Sequence, residues 1–242
     1  MGEINLLESN PPIKRKIEPG WRTEENRKIA SLFDKEFFDG ERVNGYGGYY
    51  YDGRWKKVVK KLQELYNIDA ESSILDIGCG KGFLLYDLQD LIGGINVIGM
   101  DISNYALNKA MDGYGQFIVK NNLGSDDSEE IEKKARAKVL PYLIEGSAEK
   151  LPWPDNSFDV VLSINTTHNL SEEKCKQAIK EMKRVCKPGG KMFIQLDAYR
   201  NAEDKERIMH WVLTAKTIKS VDEWKDFFKE VGYGGDYYWT IV

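Results

Sequence analysis

The sequence is poor in the residues that staple small folds or bind metals. Its 242 residues hold three cysteines, Cys79, Cys175 and Cys186. They lie far apart, form no C-x-x-C pair and leave an odd count, which argues against a disulfide framework and a cysteine-ligated zinc site. A reducing cytoplasm is the compartment this usage implies. No apolar run approaches the length needed to span a bilayer, and residues 1 to 20 carry no apolar core of signal-peptide length, so a soluble chain with no membrane partner is expected. An excess of positive charge is also missing. The 35 Lys and Arg against 39 Asp and Glu leave a formal net charge of −4, which speaks against nucleic acid as a partner. With 41% hydrophobic residues, the chain is long enough for one sizeable α/β core and short for two full domains. A monomer or homodimer is expected.

The chain is organised around Ser73-Ile74-Leu75-Asp76-Ile77-Gly78-Cys79-Gly80-Lys81-Gly82-Phe83. A short apolar run fits a strand covered on both faces, and the glycines let the backbone turn and pass close to a ligand. The spacing is G-x-G-x-G, with Phe83 where the dinucleotide fingerprint needs its third glycine, which argues against a nicotinamide cofactor. Asp76 stands at the carboxyl end of this strand, where open α/β sheets place their ligands. A second strand, Ile95 to Met100, ends in Asp101-Ile102-Ser103, and an acid about 20 residues past the turn is where a ribose diol is held.

These residues resemble motif I and the following acidic position of the class I S-adenosylmethionine (SAM) methyltransferases. The resemblance implies a Rossmann-like, doubly wound, mostly parallel sheet, with SAM as cofactor and S-adenosylhomocysteine as product. It implies that Asp76, Gly78, Cys79, Gly80 and Gly82 hold the methionine part, that Asp101 takes the ribose, and that Ile102 lies on the adenine face. A second match follows in Glu145-Gly146-Ser147-Ala148-Glu149-Lys150-Leu151-Pro152 and Ser157-Phe158-Asp159-Val160-Val161. It is similar to the acidic loop and fourth strand of the ubiquinone-biosynthesis-like branch, which acts on small molecules, and it implies adenine contacts from Ser147, Ala148 and Glu149. That family usually has Asp where this chain has Ser147, a weaker acceptor. A third match, Arg184-Val185-Cys186-Lys187-Pro188-Gly189-Gly190, turns helix into strand and carries no chemistry.

The fourth strand runs into Asn165-Thr166-Thr167-His168. His168, one of two histidines, is a candidate general base because imidazole titrates near neutrality; packing at a helix start is the alternative. Asn165 is expected to contact cofactor or acceptor. The N-P-P-Y arrangement of amide-nitrogen methyltransferases is absent.

Ahead of the glycine turn, residues 1 to 20 read as a tail or ordered arm, and Thr23 caps a helix to about Phe38. Residues 38 to 55 are dense in Gly and Tyr. Tyr46, Tyr49 and Tyr50 stand as lid residues that could stack on a planar ligand, with Tyr46 near the cofactor and Tyr49 and Tyr50 as catalytic candidates; packing on the domain is the other reading. The expected division is an N-terminal arm, helix and lid over residues 1–52 and a SAM-binding domain over 53–242, with a charged, solvated insertion at about 112–138. A third strand is expected over Val139 to Ile144, and the resemblance implies a closing antiparallel hairpin, of which only Tyr237 to Val242 is recognisable. The function that emerges is methyl transfer from SAM to a small-molecule acceptor; a protein acceptor, or a non-catalytic SAM-binding partner protein, is the alternative.

Overall fold

The computed structural model describes residues 1–9, 15–124 and 126–242; Asn10, Pro11 and Pro12, expected in irregular chain, lie outside them. Three helices precede the sheet: α1 (Glu24–Ala30), α2 (Lys35–Phe38) and α3 (Trp55–Tyr66). The predicted start holds, since Thr23 and Asn26 form a reciprocal capping box. The single helix expected to Phe38 is two, because the chain turns at Phe33, φ 50°, and Asp34 starts α2 by accepting from the Lys35 N–H. The rest alternates as β1 (Ser73–Ile77), α4 (Phe83–Leu91), β2 (Asn96–Asp101), α5 (Asn104–Asn108), α6 (Tyr114–Lys120), α7 (Ser128–Val139), β3 (Leu143–Glu145), β4 (Phe158–Ile164), α8 (Glu172–Val185), β5 (Cys186–Tyr199), α9 (Ala202–Trp211), β6 (Lys219–Ser220), α10 (Val221–Val231) and β7 (Asp236–Thr240).

The strands form one 7-stranded sheet in the order β3-β2-β1-β4-β5-β6, with β7 also paired to β5. Helices cover both faces, and the apolar run of β1 explains why: all of it is buried. Successive side chains point to opposite faces. Ile74 joins Val58, Leu62 and Leu85 from α3 and α4, while Leu75 and Ile77 join Ile179, Met182 and Phe228 from α8 and α10. Each such fully buried aliphatic side chain contributes about 1.5–3 kcal/mol, so β1 is fixed at the centre and its carboxyl end is held in one place.

The far edge departs from the expected hairpin. Among the described residues every strand pairing is parallel, including β7, which runs beside β5 from Phe193↔Asp236 to Asp197↔Thr240. A crossover helix, α10, precedes β7 and returns the chain to the same end of the sheet, which dictates parallel pairing. The N-terminal arm covers part of the open edge: Ile4 N–H donates to Tyr237 O at 2.8 Å, Tyr237 N–H to Gly2 O at 3.0 Å, and Leu6 is buried.

Two other elements differ from expectation. Helix α7 runs to Val139, and a 3-10 turn, Leu140–Tyr142, takes up the residues assigned to the start of the third strand; Pro141, which lacks an N–H, fits that turn and not a central ladder. The charged insertion folds as α6 and α7, and Tyr114, Ile118, Ala135 and Val139 enter the main core. Most of its charges lie on the outer face, but Asp112 turns inward to pair with buried Lys81.

Candidate cofactor and acceptor site

The strand order reverses between β1 and β4, and ligands of open α/β sheets bind at the carboxyl ends of such a pair. Here those ends carry Asp76 to Gly82 and Asn165 to His168. They touch at Gly78, φ +82°, where a Cβ would lie 1.9 Å from Thr166 Oγ1, so no residue with a side chain fits. The turn is pinned to β2 by main-chain bonds, Gly78 N–H to Met100 O at 2.7 Å and Cys79 N–H to the same oxygen at 3.2 Å. Gly80 N–H donates to Asp101 Oδ2 at 2.7 Å, and Ser103 N–H donates to Asp101 Oδ1 at 2.8 Å. Asp101 is thereby held in one orientation at the mouth of the crevice. Burial pushes its carboxyl up, and the N–H donors of Ser103 and Gly80 partly offset this.

Asp76 is in a different state. It is 5% exposed, and no described residue gives its carboxylate a hydrogen bond. Burial, and then the neighbouring charge of Asp101, push it up to about 7. A buried carboxylate with no donor is costly, and an ammonium or amide donor of a ligand is what its chemistry asks for. With the glycine turn beside it and Asp101 held in one orientation at the end of β2, the residues present fit SAM.

The remaining cofactor candidates fall around this pair. Ile102 is 58% exposed and lines a cleft of 390 Å³ with Phe33, Ser103 and Tyr105, an apolar wall open to a flat ring. Gly146 N–H donates to Asp101 O at 2.9 Å, which places the Ser147 loop beside β2. The Ser147 hydroxyl, however, accepts from the Glu149 N–H at 3.3 Å, and Glu149 pairs with Lys174 at 3.0 Å, so Glu149 faces outward. Ala148 is buried in the core. Cys79 points at β2, where a Cβ on Gly99 would meet its Sγ, and burial raises its thiol well above the usual range; its side chain packs and only its backbone serves the turn. Asn165 takes a left-handed φ of 55° and spends its Oδ1 on the Thr240 hydroxyl at 3.0 Å.

The catalytic candidates are not brought together. His168 is buried, and its Nδ1 accepts from the Asp197 N–H at 3.1 Å, so the neutral ring carries its proton on Nε2, 3.5 Å from Asp197 Oδ2. In this geometry the His168 ring has no free lone pair for the candidate base role and is held as in the packing alternative, against the Asp197 backbone. Tyr50 is 54% exposed and lies away from the crevice, its ring 5.0 Å from Lys81 Nζ. Tyr49 stacks on Phe83 with centroids 5.1 Å apart, and its Cε1 lies 3.3 Å from where a Cβ on Gly80 would stand. It roofs the glycine turn. Tyr46 sits 4.6 Å from Tyr49. Tyr46 as a whole is 41% exposed, while desolvation of its hydroxyl, then the charges of Asp101 and Asp197, push its phenol up to about 12. Tyr51, by contrast, is core, donating to Asp87 Oδ1 at 2.6 Å. The tyrosine segment is therefore both packed and a roof.

Sequence reasoning missed Asp39, Lys81 and Asp197. Lys81 announced itself by standing inside the glycine turn. Asp197, three residues after the strand's apolar Phe193-Ile194, carried no local signal.

Residues 75–194 match the methyltransferase domain family. The chain belongs to the class I SAM-dependent methyltransferases. It is 27% identical over 69% of its length to a demethylmenaquinone methyltransferase of Bacillus licheniformis, covering 61% of that protein. It is 31% identical over 71% of its length to a tRNA (carboxymethyluridine(34)-5-O)-methyltransferase of Arabidopsis thaliana, covering 34% of it. The chain thus spans well under the full length of both relatives. Among solved structures, the [4+2]-cyclase SpnF superposes with a TM-score of 0.52 at 17% identity, over 90% of this chain and 75% of that one, which supports the fold. Family membership brings SAM as the cofactor.

Proposed function

We propose that the protein transfers the methyl group of SAM to a small-molecule acceptor. The observation that carries this is the pair of acids at the switch point: Asp101, half-buried and oriented by two N–H donors, and Asp76, 5% exposed with no protein donor on its carboxylate among the described residues. Asp76 would receive the ammonium, Asp101 the ribose hydroxyls, and Ile102 the adenine face. When bound, the sulfonium supplies an already activated methyl group, so the chain's own residues need only align the acceptor and exclude water.

The acceptor end lies past Asn165, where Asp197 stands within the buried part of β5, Phe193 to Ala198. Asp197 is 5% exposed, the polar group nearest its carboxylate among the described residues is His168 Nε2 at 3.5 Å, and burial raises its carboxyl above the ordinary range. Asp197 receives the acceptor's N–H or O–H, with His168 as its positioning residue and Tyr46 near enough to feel the charges of both Asp101 and Asp197. A small acceptor is supported by the acidic balance and by the quinone-methylating relative. The tRNA-modifying relative favours a second reading, a nucleic-acid acceptor, against which the net charge of −4 stands. Buried, unpaired Cys79, Cys175 and Cys186 support a cytoplasmic setting, and among the described residues no helix is long and apolar enough to cross a membrane. The test is product formation from radiolabelled SAM with panels of quinols, phenols, amines and unmodified tRNA: label in a small molecule that Asp197→Asn abolishes supports the reading, and label only in tRNA overturns it.

A further inference from the structure

Lys81 stands between Gly80 and Gly82, and its side chain is wholly buried. Its ammonium lies 2.8 Å from both carboxylate oxygens of Asp39 and 2.8 Å from Asp112 Oδ2. Three charge-assisted bonds use every proton it carries, so it has none left for a ligand, and the usual reading of a lysine in a glycine turn, an anion binder, does not apply. Its partners instead belong to the roof. Asp39 begins the tyrosine segment, accepts the Tyr49 N–H at 3.1 Å and accepts the Tyr105 hydroxyl at 2.7 Å. Asp112 receives the Tyr51 N–H on its carbonyl at 2.9 Å, and Met111 N–H donates to Lys81 O at 3.0 Å. One ammonium therefore ties the turn to both ends of the segment that carries Tyr49.

We propose that Lys81 is a positioning residue that latches the tyrosine roof onto the cofactor turn through Asp39, so that release of cofactor requires the latch to open. The inference rests on the reading that the turn binds SAM. With the Tyr49 ring against Gly80, a ligand reaches or leaves that face of the turn only when the ring moves, and the ring's backbone N–H is held by the carboxylate that Lys81 holds. Moving Asp39 away leaves a buried ammonium with one acid in place of two, and that penalty keeps the roof down. Burial raises the Asp39 carboxyl, but Lys81, Tyr105 and the Tyr49 N–H together outweigh it and hold it below its ordinary value, as a latch that is closed in the resting state should.

The test follows dissociation of S-adenosylhomocysteine by stopped-flow chase in the full chain, for wild type, Asp39→Asn, Lys81→Met and the double variant, with amide hydrogen exchange over residues 39–51. The latch predicts release at least about tenfold faster in each single variant, a double variant within about twofold of the singles because both act through one bond, and faster exchange at Tyr49. Asp39→Asn keeps the shape of the site and carries the test alone if Lys81→Met does not fold. Release within about twofold of wild type and unchanged exchange at Tyr49 overturn the latch while leaving the cofactor reading intact. Wild type that binds no S-adenosylhomocysteine overturns the cofactor reading, and the coupling with it.

Discussion

Replacing Asp76 with Asn should separate stability from function in a way that depends on pH. The carboxyl of Asp76 is raised from its ordinary 3.8 to about 7, so between those values the folded chain holds a proton that the unfolded chain has lost. Stability then falls as pH rises, since the native state binds more protons. This contribution is fully present below about pH 4 and is gone above the folded value near 7. At about 1.4 kcal/mol per pH unit the whole window is worth about 4 kcal/mol, and the part between pH 5 and pH 8 about 2.5 kcal/mol. Asn cannot ionise, so the stability of Asp76→Asn measured against wild type should rise by about 2.5 kcal/mol from pH 5 to pH 8. Asp101, Asp197 and Asp87, also raised by burial, titrate in both proteins and largely cancel in the difference. Urea unfolding of the two ligand-free proteins at both pH values gives the number, and calorimetry with S-adenosylhomocysteine at pH 8 should show the variant's affinity lost even where its stability has gained. A stability offset that is the same at both pH values, or that moves the other way, refutes the claim that Asp76 is buried without a donor.

Other outcomes follow from the same geometry. Asp101→Asn removes a charged acceptor of two N–H bonds, each worth about 1.5–3 kcal/mol, and should weaken S-adenosylhomocysteine binding at least about tenfold by calorimetry. Gly78→Ala places a Cβ against Thr166 in a left-handed backbone and should lower unfolding stability by more than about 2 kcal/mol in urea titration. His168→Asn should lower turnover less than Asp197→Asn while both leave S-adenosylhomocysteine affinity unchanged; the reverse order would restore His168 as the base. Tyr49→Ala removes the ring that lies against Gly80 and should speed S-adenosylhomocysteine release in a stopped-flow chase, and unchanged release would count against a roof over the glycine turn.

The centre of the sheet was legible because its elements are locally determined. A buried apolar run, an acid and a glycine turn specify β1 and α4, and the fourth strand expected to run into Asn165 is β4, Phe158–Ile164. Legibility failed where distant chain decides the outcome. The parallel pairing of β7 follows from α10 crossing back over the sheet, a tertiary fact with no local mark. The break at Phe33 rests on one residue in a left-handed conformation, and the end of α7 on where Pro141 is tolerated. At the site, Asp76 and Asp101 were readable because strand ends are predictable positions. The environment of His168 was not, since the Asp197 N–H that occupies its ring comes from another strand, 29 residues on. The fold places Asp39, 42 residues before Lys81, against the glycine turn, and no spacing rule links them. Tyr51 and Tyr49 looked alike in sequence, and only packing makes one core and the other roof.

The central claim is that the crevice between β1 and β4 binds SAM through Asp76 and Asp101, and calorimetric titration of the purified protein with SAM, S-adenosylhomocysteine and NAD, beside an Asp101→Ala variant, tests it most directly. The account predicts saturable binding of both adenosyl ligands to wild type, loss of that binding in the variant and no heat with NAD. Binding of NAD, or of neither adenosyl ligand, would contradict it.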